Sequence, residues 1–230
     1  MKEPGKIDLL NTITSIIRES REPHYRPTSI SFSGGGEPLL YMKTIREYMK
    51  VYNDIKKETK GSPWFYLYTN GVLATKDILE ELRDLGIDEI RFHLGASNFS
   101  KDVYKNVSLA RKYFKALTVE TPAWPPHKTK LFEMLPIIED IGVDHVNIGE
   151  IEVTQYNRRK IAKILPDAEI YQCHEMHLYD NGLVYDIMEE ALRRKYSYSV
   201  LDCNCFVKSI QRGPAKMIQH ENLRGLFAGY

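Results

Sequence analysis

Three consecutive glycines, a glutamate and a proline stand in the segment Ser31-Phe-Ser-Gly-Gly-Gly-Glu-Pro38. The alternation of apolar and small polar residues over 27–33 predicts a half-buried strand, and helical spacing begins at Leu39, so the glycines follow a strand. Glycine permits a positive φ and a close approach of backbone N–H groups to a ligand, and Glu37 offers a carboxylate to a cationic group. The segment therefore predicts either a ligand site or a tight turn with a capping acid.

The elements that must position this segment are strands and helices in regular alternation. The periodicity predicts strands at residues 27–33, 64–69, 88–94, 116–120, 144–149, 168–173 and 196–202. The aromatic, nearly continuous apolar run at 64–69 is typical of a strand that is buried on both faces of a parallel sheet. It predicts helices at 7–21, 39–57, 75–86, 100–114, 131–141, 154–165 and 183–195. Asn70-Gly71 is a frequent hairpin turn, but the helical segment behind it favours a crossover to a parallel strand.

Such alternation implies parallel strands with right-handed crossovers, as in a doubly wound sheet or a β/α barrel. We expect an α/β fold, and within it an incomplete, TIM-like β/α barrel that lacks its first strand, because the chain opens on a helix. Residues 1–205 would form this partial barrel, and residues 206–230 a short helix and tail. The mouth of the barrel, where the strands end, would hold Gly34 to Glu37, Thr69, Asn70, His93, Ser97, Glu120, Thr121, Asn147, Glu150, Cys173, His174, Cys203 and Cys205.

Charge and hydropathy argue against several classes of partner. Lysine and arginine number 32 against 31 acidic residues, so the net charge of +1 provides no overall field for nucleic acid. No stretch reaches the roughly 18 apolar residues of a membrane span, and the N-terminus does not resemble a signal peptide. We expect a soluble, cytoplasmic protein without a membrane contact. Its three cysteines argue for buried, reactive or metal-bound thiols rather than for a disulfide framework.

With these residues in place, the chain resembles the radical S-adenosylmethionine (SAM) superfamily over about residues 8–154. The resemblance is carried by Phe-Ser-Gly-Gly-Gly-Glu-Pro-Leu-Leu at 32–40, Leu-Tyr-Thr-Asn-Gly-Val-Leu at 67–73, Leu-Gly-Ile-Asp-Glu-Ile-Arg-Phe-His-Leu at 85–94 and Val-Asn-Ile at 146–148. These segments are similar to the second, third, fourth and sixth strands of the family with their flanking residues. The resemblance implies a partial barrel that binds SAM and a 4Fe-4S cluster for 5′-deoxyadenosyl radical chemistry.

The resemblance also implies individual roles for residues at the mouth. Gly35, Gly36 and Glu37 would hold the amino group of SAM, and Thr69 and Asn70 would lie near the same ligand. For each of these residues the alternative is a packed or capping side chain.

Three further positions are carried over with less defined roles. His93 stands where many relatives have a serine, at the end of the fourth strand. Glu120 and Asn147 are mouth positions that would contact ribose, adenine or substrate. The same alternative of a packed or capping side chain applies to all three.

The chain departs from the family at the cluster. Members bind the cluster through Cys-x-x-x-Cys-x-x-Cys, which occurs nowhere in these 230 residues, so we expect either an N-terminally shortened form or a member that has lost the cluster. Another alternative is a metal site at Cys173, Cys203 and Cys205, since three thiolates can hold a cluster with one open iron. His174 and His177 would instead complete a zinc site, and small buried thiols are the simplest explanation.

Three functions therefore compete. The first is a radical SAM enzyme acting on an undetermined small-molecule or peptide substrate, with a reductant protein as a possible electron donor. The second is a non-catalytic SAM-binding barrel that acts as a partner subunit or regulator. The third is a metal-dependent barrel isomerase or aldolase that uses His93, Glu120, His145 and Glu150.

Overall fold

The computed structural model describes residues 29–33, 36–55, 63–173, 175–178, 181–204 and 207. The predicted first helix at 7–21 and the tail beyond residue 207 lie outside these residues, and the predicted boundary at residue 205 stays a prediction. The described strands are β1 (Ser29–Phe32), β2 (Trp64–Thr69), β3 (Glu89–His93), β4 (Ala116–Pro122), β5 (His145–Gly149), β6 (Ile170–Cys173), β7 (Glu175–Leu178) and β8 (Ser199–Asp202). The described helices are α1 (Met42–Ile55), α2 (Lys76–Leu85), α3 (Lys101–Ala110), α4 (Lys128–Ile141), α5 (Arg158–Ile164) and α6 (Asn181–Arg194).

Six strands form one parallel sheet in the order β1-β2-β3-β4-β5-β8, which confirms the predicted α/β class. The crossover predicted at Asn70-Gly71 is also confirmed, because β2 pairs with β3 in parallel. The order follows the chain without the reversal of a doubly wound sheet, and it is the order found in β/α barrels.

Strand β6 differs from the prediction. It pairs antiparallel with β7 in a separate two-stranded sheet, with Cys173 opposite Glu175, so residues 168–173 do not add a parallel strand to the six-stranded sheet. The chain turns back directly after Cys173, and the strand that follows was not predicted. Contrary to our expectation, Cys173 therefore does not stand at the end of a strand of the six-stranded sheet.

The contacts divide the chain into two units, Met1–Glu120 with Ile138–His145, and Thr121–Ile137 with Val146–Tyr230. In the first unit, β1 to β4 are parallel neighbours, and right-handed crossovers place α1 to α3 over one face of the sheet. That face is apolar: Tyr52 of α1 packs edge-on against Phe65, with ring centroids 4.6 Å apart. Phe65, Leu67, Ile90, Phe92, Leu117 and Val119 of this face are all buried.

The other face of this sheet is polar. In β2, Phe65, Leu67 and Thr69 are buried, whereas Trp64, Tyr66 and Tyr68 are only half-buried. The prediction that this aromatic strand is buried on both faces is wrong, because the three crossover helices of the unit all cover the opposite face. We call the side of β2 to β4 that carries Tyr66, Tyr68, Glu89, Arg91, His93, Thr118 and Glu120 the polar face.

Two aspartates connect neighbouring strands at the side of the sheet where the strands begin. The Asp88 carboxylate accepts a hydrogen bond from the Phe65 N–H (3.0 Å), so it ties the entry of β3 to β2. Asp144 repeats the arrangement before β5: it accepts from the Leu117 N–H (2.7 Å) and from the Arg111 guanidinium. These two carboxylates are therefore occupied in connecting strands, and the candidate ligand groups lie at the other side of the sheet, where the strands end.

The second unit contains the rest of α4 and β5 and the elements that follow. Here β6 and β7 pack against the segment after β5, since the Val153 N–H donates to the Met176 carbonyl (2.7 Å) and the Leu178 N–H to that of Ile151 (2.9 Å). Val153, Ile161 and Leu178 form a buried apolar cluster. Among the described residues, no helix is both long and apolar enough to cross a membrane.

Candidate active site

Glu37 joins the ends of the first two strands. Its Oε1 accepts hydrogen bonds from the Thr69 hydroxyl (2.7 Å) and the Leu39 N–H (3.1 Å), and its Oε2 accepts one from the Asn70 N–H (2.7 Å). The bond from Leu39 caps the 3-10 helix Pro38–Tyr41, which leads into α1. The structure thus brings Glu37, Thr69 and Asn70 together, as predicted from their positions at neighbouring strand ends.

The turn after β2 is fixed around the same residues. The Thr69 hydroxyl accepts from the Gly71 N–H (3.0 Å), and the Asn70 side chain accepts from the Val72 N–H (2.9 Å). Gly71 has a φ of 79°, and a Cβ there would lie 2.7 Å from both the Phe92 ring and the Val103 side chain. Only glycine fits this position without displacement of the core, so the turn that presents Thr69 and Asn70 is rigidly specified.

The Glu37 carboxylate retains capacity for one more donor. Two carboxylate oxygens have about four acceptor sites, and three are used, all by uncharged groups. No lysine, arginine or histidine in the described part of the chain forms an ion pair with Glu37, so none of these residues neutralises its negative charge. A Cβ on the exposed Gly36 would meet no atom within 4 Å, so the space beside it is open. Glu37 and the open space beside Gly36 thus fit an ammonium group. Gly35, which was predicted to bind the same group, lies outside the described residues.

His93 at the end of β3 is the parallel register partner of Glu120, which lies two residues before the end of β4. The Nδ1 atom of His93 accepts from the Ala96 N–H (2.9 Å) and caps the 3-10 helix Leu94–Ser97. The ring proton of the neutral imidazole is therefore on Nε2. Both side chains are half-buried, and both lie on the polar face.

Sequence analysis did not identify the network at the centre of the polar face. The carboxylate of Glu89 accepts from the Trp64 indole (2.8 Å), from the Thr118 hydroxyl (2.7 Å) and from two guanidinium nitrogens of Arg91 (2.6 and 3.2 Å). Arg91 also donates to the Tyr68 hydroxyl (3.0 Å). Its guanidinium carbon lies 3.9 Å from the centroid of the Tyr66 ring. The sequence signal that would have identified this face is the recurrence of polar or tyrosine residues at alternate positions of β2 to β4.

The charges of this network shift the pKa values of its members. Burial raises the pKa of Glu89, but the hydrogen bonds from Arg91, Thr118 and Trp64 outweigh it, so the pKa lies below its ordinary value. Burial, followed by the negative charge of Glu120, raises the pKa of Tyr68 to about 12, although Arg91 acts in the opposite direction. At physiological pH, Glu89 is therefore an anion paired with Arg91, and Tyr68 remains a neutral phenol.

The remaining predicted site residues belong to the second unit or lie outside the described residues. Asn147 is buried, and its side-chain oxygen has no hydrogen-bond partner among the described atoms. Cys203 is half-buried, and its N–H donates to the carbonyl of Ile148 (2.7 Å). Cys205 and the side chain of Cys173 lie outside the described residues, so the predicted three-thiolate site stays a prediction. The part of the chain that the structure describes holds no group of three or more His, Cys, Asp or Glu side chains placed to bind a metal.

No model of a known protein family matches the chain. It is 25% identical over 162 residues to a Methanocaldococcus jannaschii protein named "Putative glycyl-radical enzyme activating enzyme", which covers 67% of this chain and 41% of that protein. It is 23% identical over 205 residues to an uncharacterized protein of the same organism, which covers 70% of this chain and 69% of that one. The chain therefore spans about two fifths of the length of the first relative. That similarity supports a relation of this chain to the radical SAM family.

Proposed function

We propose that this chain binds SAM at the ends of β1 and β2 and functions in radical SAM chemistry. The observation that carries the proposal is the Glu37 carboxylate, which is held by three uncharged donors and to which the described residues supply neither a cation nor a fourth donor. An α-ammonium group supplies the missing positive charge and donor. The name of the first relative, an activating enzyme for glycyl-radical enzymes, supports the same class of chemistry.

In this function the chain positions one end of SAM. The hydrogen bonds from Thr69 and Asn70 hold the Glu37 carboxylate in one orientation before the ligand arrives, so little side-chain entropy is lost on binding. The open space beside Gly36 admits the amino-acid end of SAM close to the backbone. Together with a reduced 4Fe-4S cluster, bound SAM would supply a 5′-deoxyadenosyl radical for removal of a hydrogen atom from the substrate. The proposal includes a reductant protein, which would donate the electron that reduces the cluster.

The binding of SAM is tested by calorimetric titration of wild type and Glu37→Gln with two ligands. 5′-Methylthioadenosine is the matched control because it keeps the adenosine and sulfur of SAM but has no amino-acid end. We expect Glu37→Gln to weaken SAM at least about tenfold, as for the loss of one charge-assisted bond, and to leave 5′-methylthioadenosine unchanged. Equal loss for both ligands, or no heat with SAM, would contradict the assignment of Glu37.

A non-catalytic SAM-binding subunit is the second candidate, since Cys-x-x-x-Cys-x-x-Cys does not occur in the printed sequence. Anaerobic reconstitution with iron and sulfide, followed by SAM and dithionite, separates the two candidates. Formation of 5′-deoxyadenosine supports the enzyme. Binding of SAM without labile sulfide and without 5′-deoxyadenosine supports the subunit.

A further inference from the structure

Toward the carboxyl ends of β2 to β4, the polar face carries three side chains that keep hydrogen-bonding groups available for a ligand. His93 and Glu120 are register partners in β3 and β4, and neighbouring strands lie about 4.8 Å apart, with paired side chains on the same side. Tyr68 of β2 is the register partner of Arg91, which precedes His93 by two residues on the same face of β3. The Arg91 guanidinium donates a hydrogen bond to the Tyr68 hydroxyl. We call Tyr68, His93 and Glu120 the triad.

The hydrogen bonds determine what the triad offers to a ligand. The Tyr68 oxygen accepts from Arg91, so the phenolic O–H is left as a donor. The His93 Nδ1 atom accepts from the Ala96 N–H, so the Nε2–H is also left as a donor. The Glu120 carboxylate contributes acceptors only. The triad therefore combines one anionic acceptor with two uncharged donors.

Glu120 has no cationic partner among the described residues. Arg91, the one cation within the network of the polar face, has its guanidinium engaged by the Glu89 carboxylate and the Tyr68 hydroxyl. The charge of Glu120 does reach the phenol, since it contributes to the raised pKa of Tyr68. A half-buried carboxylate that no described cation neutralises, beside two donors, fits a cationic group of a ligand.

We propose that the triad binds the substrate through a primary ammonium group whose neighbouring carbon bears a carbonyl or hydroxyl oxygen. The ammonium pairs with Glu120, and the oxygen accepts from the Nε2–H of His93 and the O–H of Tyr68. A free carboxylate in place of that oxygen would be repelled by Glu120, so α-amino amides and amino alcohols fit, whereas free amino acids do not. The assignment of this ligand as the substrate rests on the proposed function, but the recognition itself requires no SAM.

Glycinamide is the probe, followed by NMR on protein labelled with ¹³C at the tyrosine ring carbon that bears the hydroxyl. Tyr68→Phe assigns the Tyr68 resonance. N-acetylglycinamide lacks the ammonium, and glycine has a carboxylate in place of the amide. We expect a saturable shift with glycinamide, and affinity at least about tenfold weaker for both other probes.

The variant Glu120→Gln is compared with Glu47→Gln, which makes the same charge change at an exposed position of α1. Glu120→Gln should bind glycinamide at least about tenfold more weakly, and Glu47→Gln should match wild type. Equal affinity of the two variants, tight binding of N-acetylglycinamide or the absence of saturable binding overturns the proposal.

Titration in the presence of SAM separates this proposal from the proposed function. Binding of glycinamide to protein already saturated with SAM, with unchanged affinity, supports a substrate site distinct from the SAM site. Competition between the two ligands overturns the assignment to a substrate. Binding of glycinamide to a protein that does not bind SAM supports the triad as a cation site and contradicts the proposed function.

Discussion

Replacement of Glu37 by alanine tests whether this carboxylate holds the candidate site together. The change removes the acceptor for the Leu39 N–H, the Thr69 hydroxyl and the Asn70 N–H. Thr69 is 2% exposed, so water cannot readily take over its hydrogen bond. Loss of a helix cap costs about 1 kcal/mol, and loss of a hydrogen bond to a charged group about 1.5 kcal/mol or more. We therefore expect Glu37→Ala to lower the free energy of unfolding by about 3–4 kcal/mol.

Urea denaturation followed by tryptophan fluorescence provides the measurement. The chain has two tryptophans, Trp64 in the first unit and Trp124 in the second, so a Trp124→Phe background makes the signal report on the first unit. In a chain of this size, the expected loss corresponds to a fall in the melting temperature of about 6–16 °C. Glu37→Gln should lose less, because an amide oxygen still accepts from two of the donors.

The matched control is Glu47→Ala, which removes an exposed carboxylate from α1 in the same unit. A surface change of this kind alters stability by no more than about 0.5 kcal/mol. If Glu37→Ala unfolds within that margin of Glu47→Ala, Glu37 does not organise the ends of β1 and β2, and our account of the candidate site is refuted.

Two further predictions concern the turn after β2 and the polar face. Gly71→Ala should destabilise the chain by about 2–4 kcal/mol in urea titrations, since the new methyl group would overlap Phe92 and Val103 in a left-handed backbone, while Gly36→Ala, in open space, should change little. Equal stability of the two variants would contradict the packing at Gly71. The lowered pKa of Glu89 means that the folded state binds its proton less tightly than the unfolded state, so this contribution is present above the ordinary carboxyl pKa and is lost as pH falls through the folded value. The destabilisation by Glu89→Gln should therefore be larger at pH 7 than at pH 3, and equal urea stability differences at the two pH values would disprove it.

Much of the fold was determined locally, by residues close together in the chain. The apolar periodicity predicted the helices and strands of the described core, because each must bury one stripe or face. Asn70-Gly71 alone would favour a hairpin, but the helix-forming segment after it predicted a crossover, and β2 and β3 are indeed parallel. The approach of Glu37 to Thr69 and Asn70 was also predictable, since the ends of neighbouring parallel strands meet at one edge.

The prediction failed where pairing between distant residues decides the structure. Residues 170–173 have the composition of a strand, but only the fold determines that β6 pairs antiparallel with β7 instead of joining the main sheet. The aromatic run of β2 indicated burial on both faces, yet the placement of all three crossover helices on one face leaves Tyr66 and Tyr68 half-buried.

Local periodicity was enough to predict which side chains stand at the strand ends, because the bounds of each element follow from its own period. The tertiary structure decided what those side chains are available to do. Glu37 is predominantly engaged by the chain's own donors and retains one acceptor site, whereas Glu120 pairs with no described cation. Glu89 and Arg91 pair within β3, and the neighbouring strands β2 and β4 bring Trp64, Tyr68 and Thr118 to the same face, where they complete the hydrogen bonds of the pair. The physical reason is that propensity and periodicity act over a few residues, whereas hydrogen-bond satisfaction and charge pairing depend on which strands become neighbours.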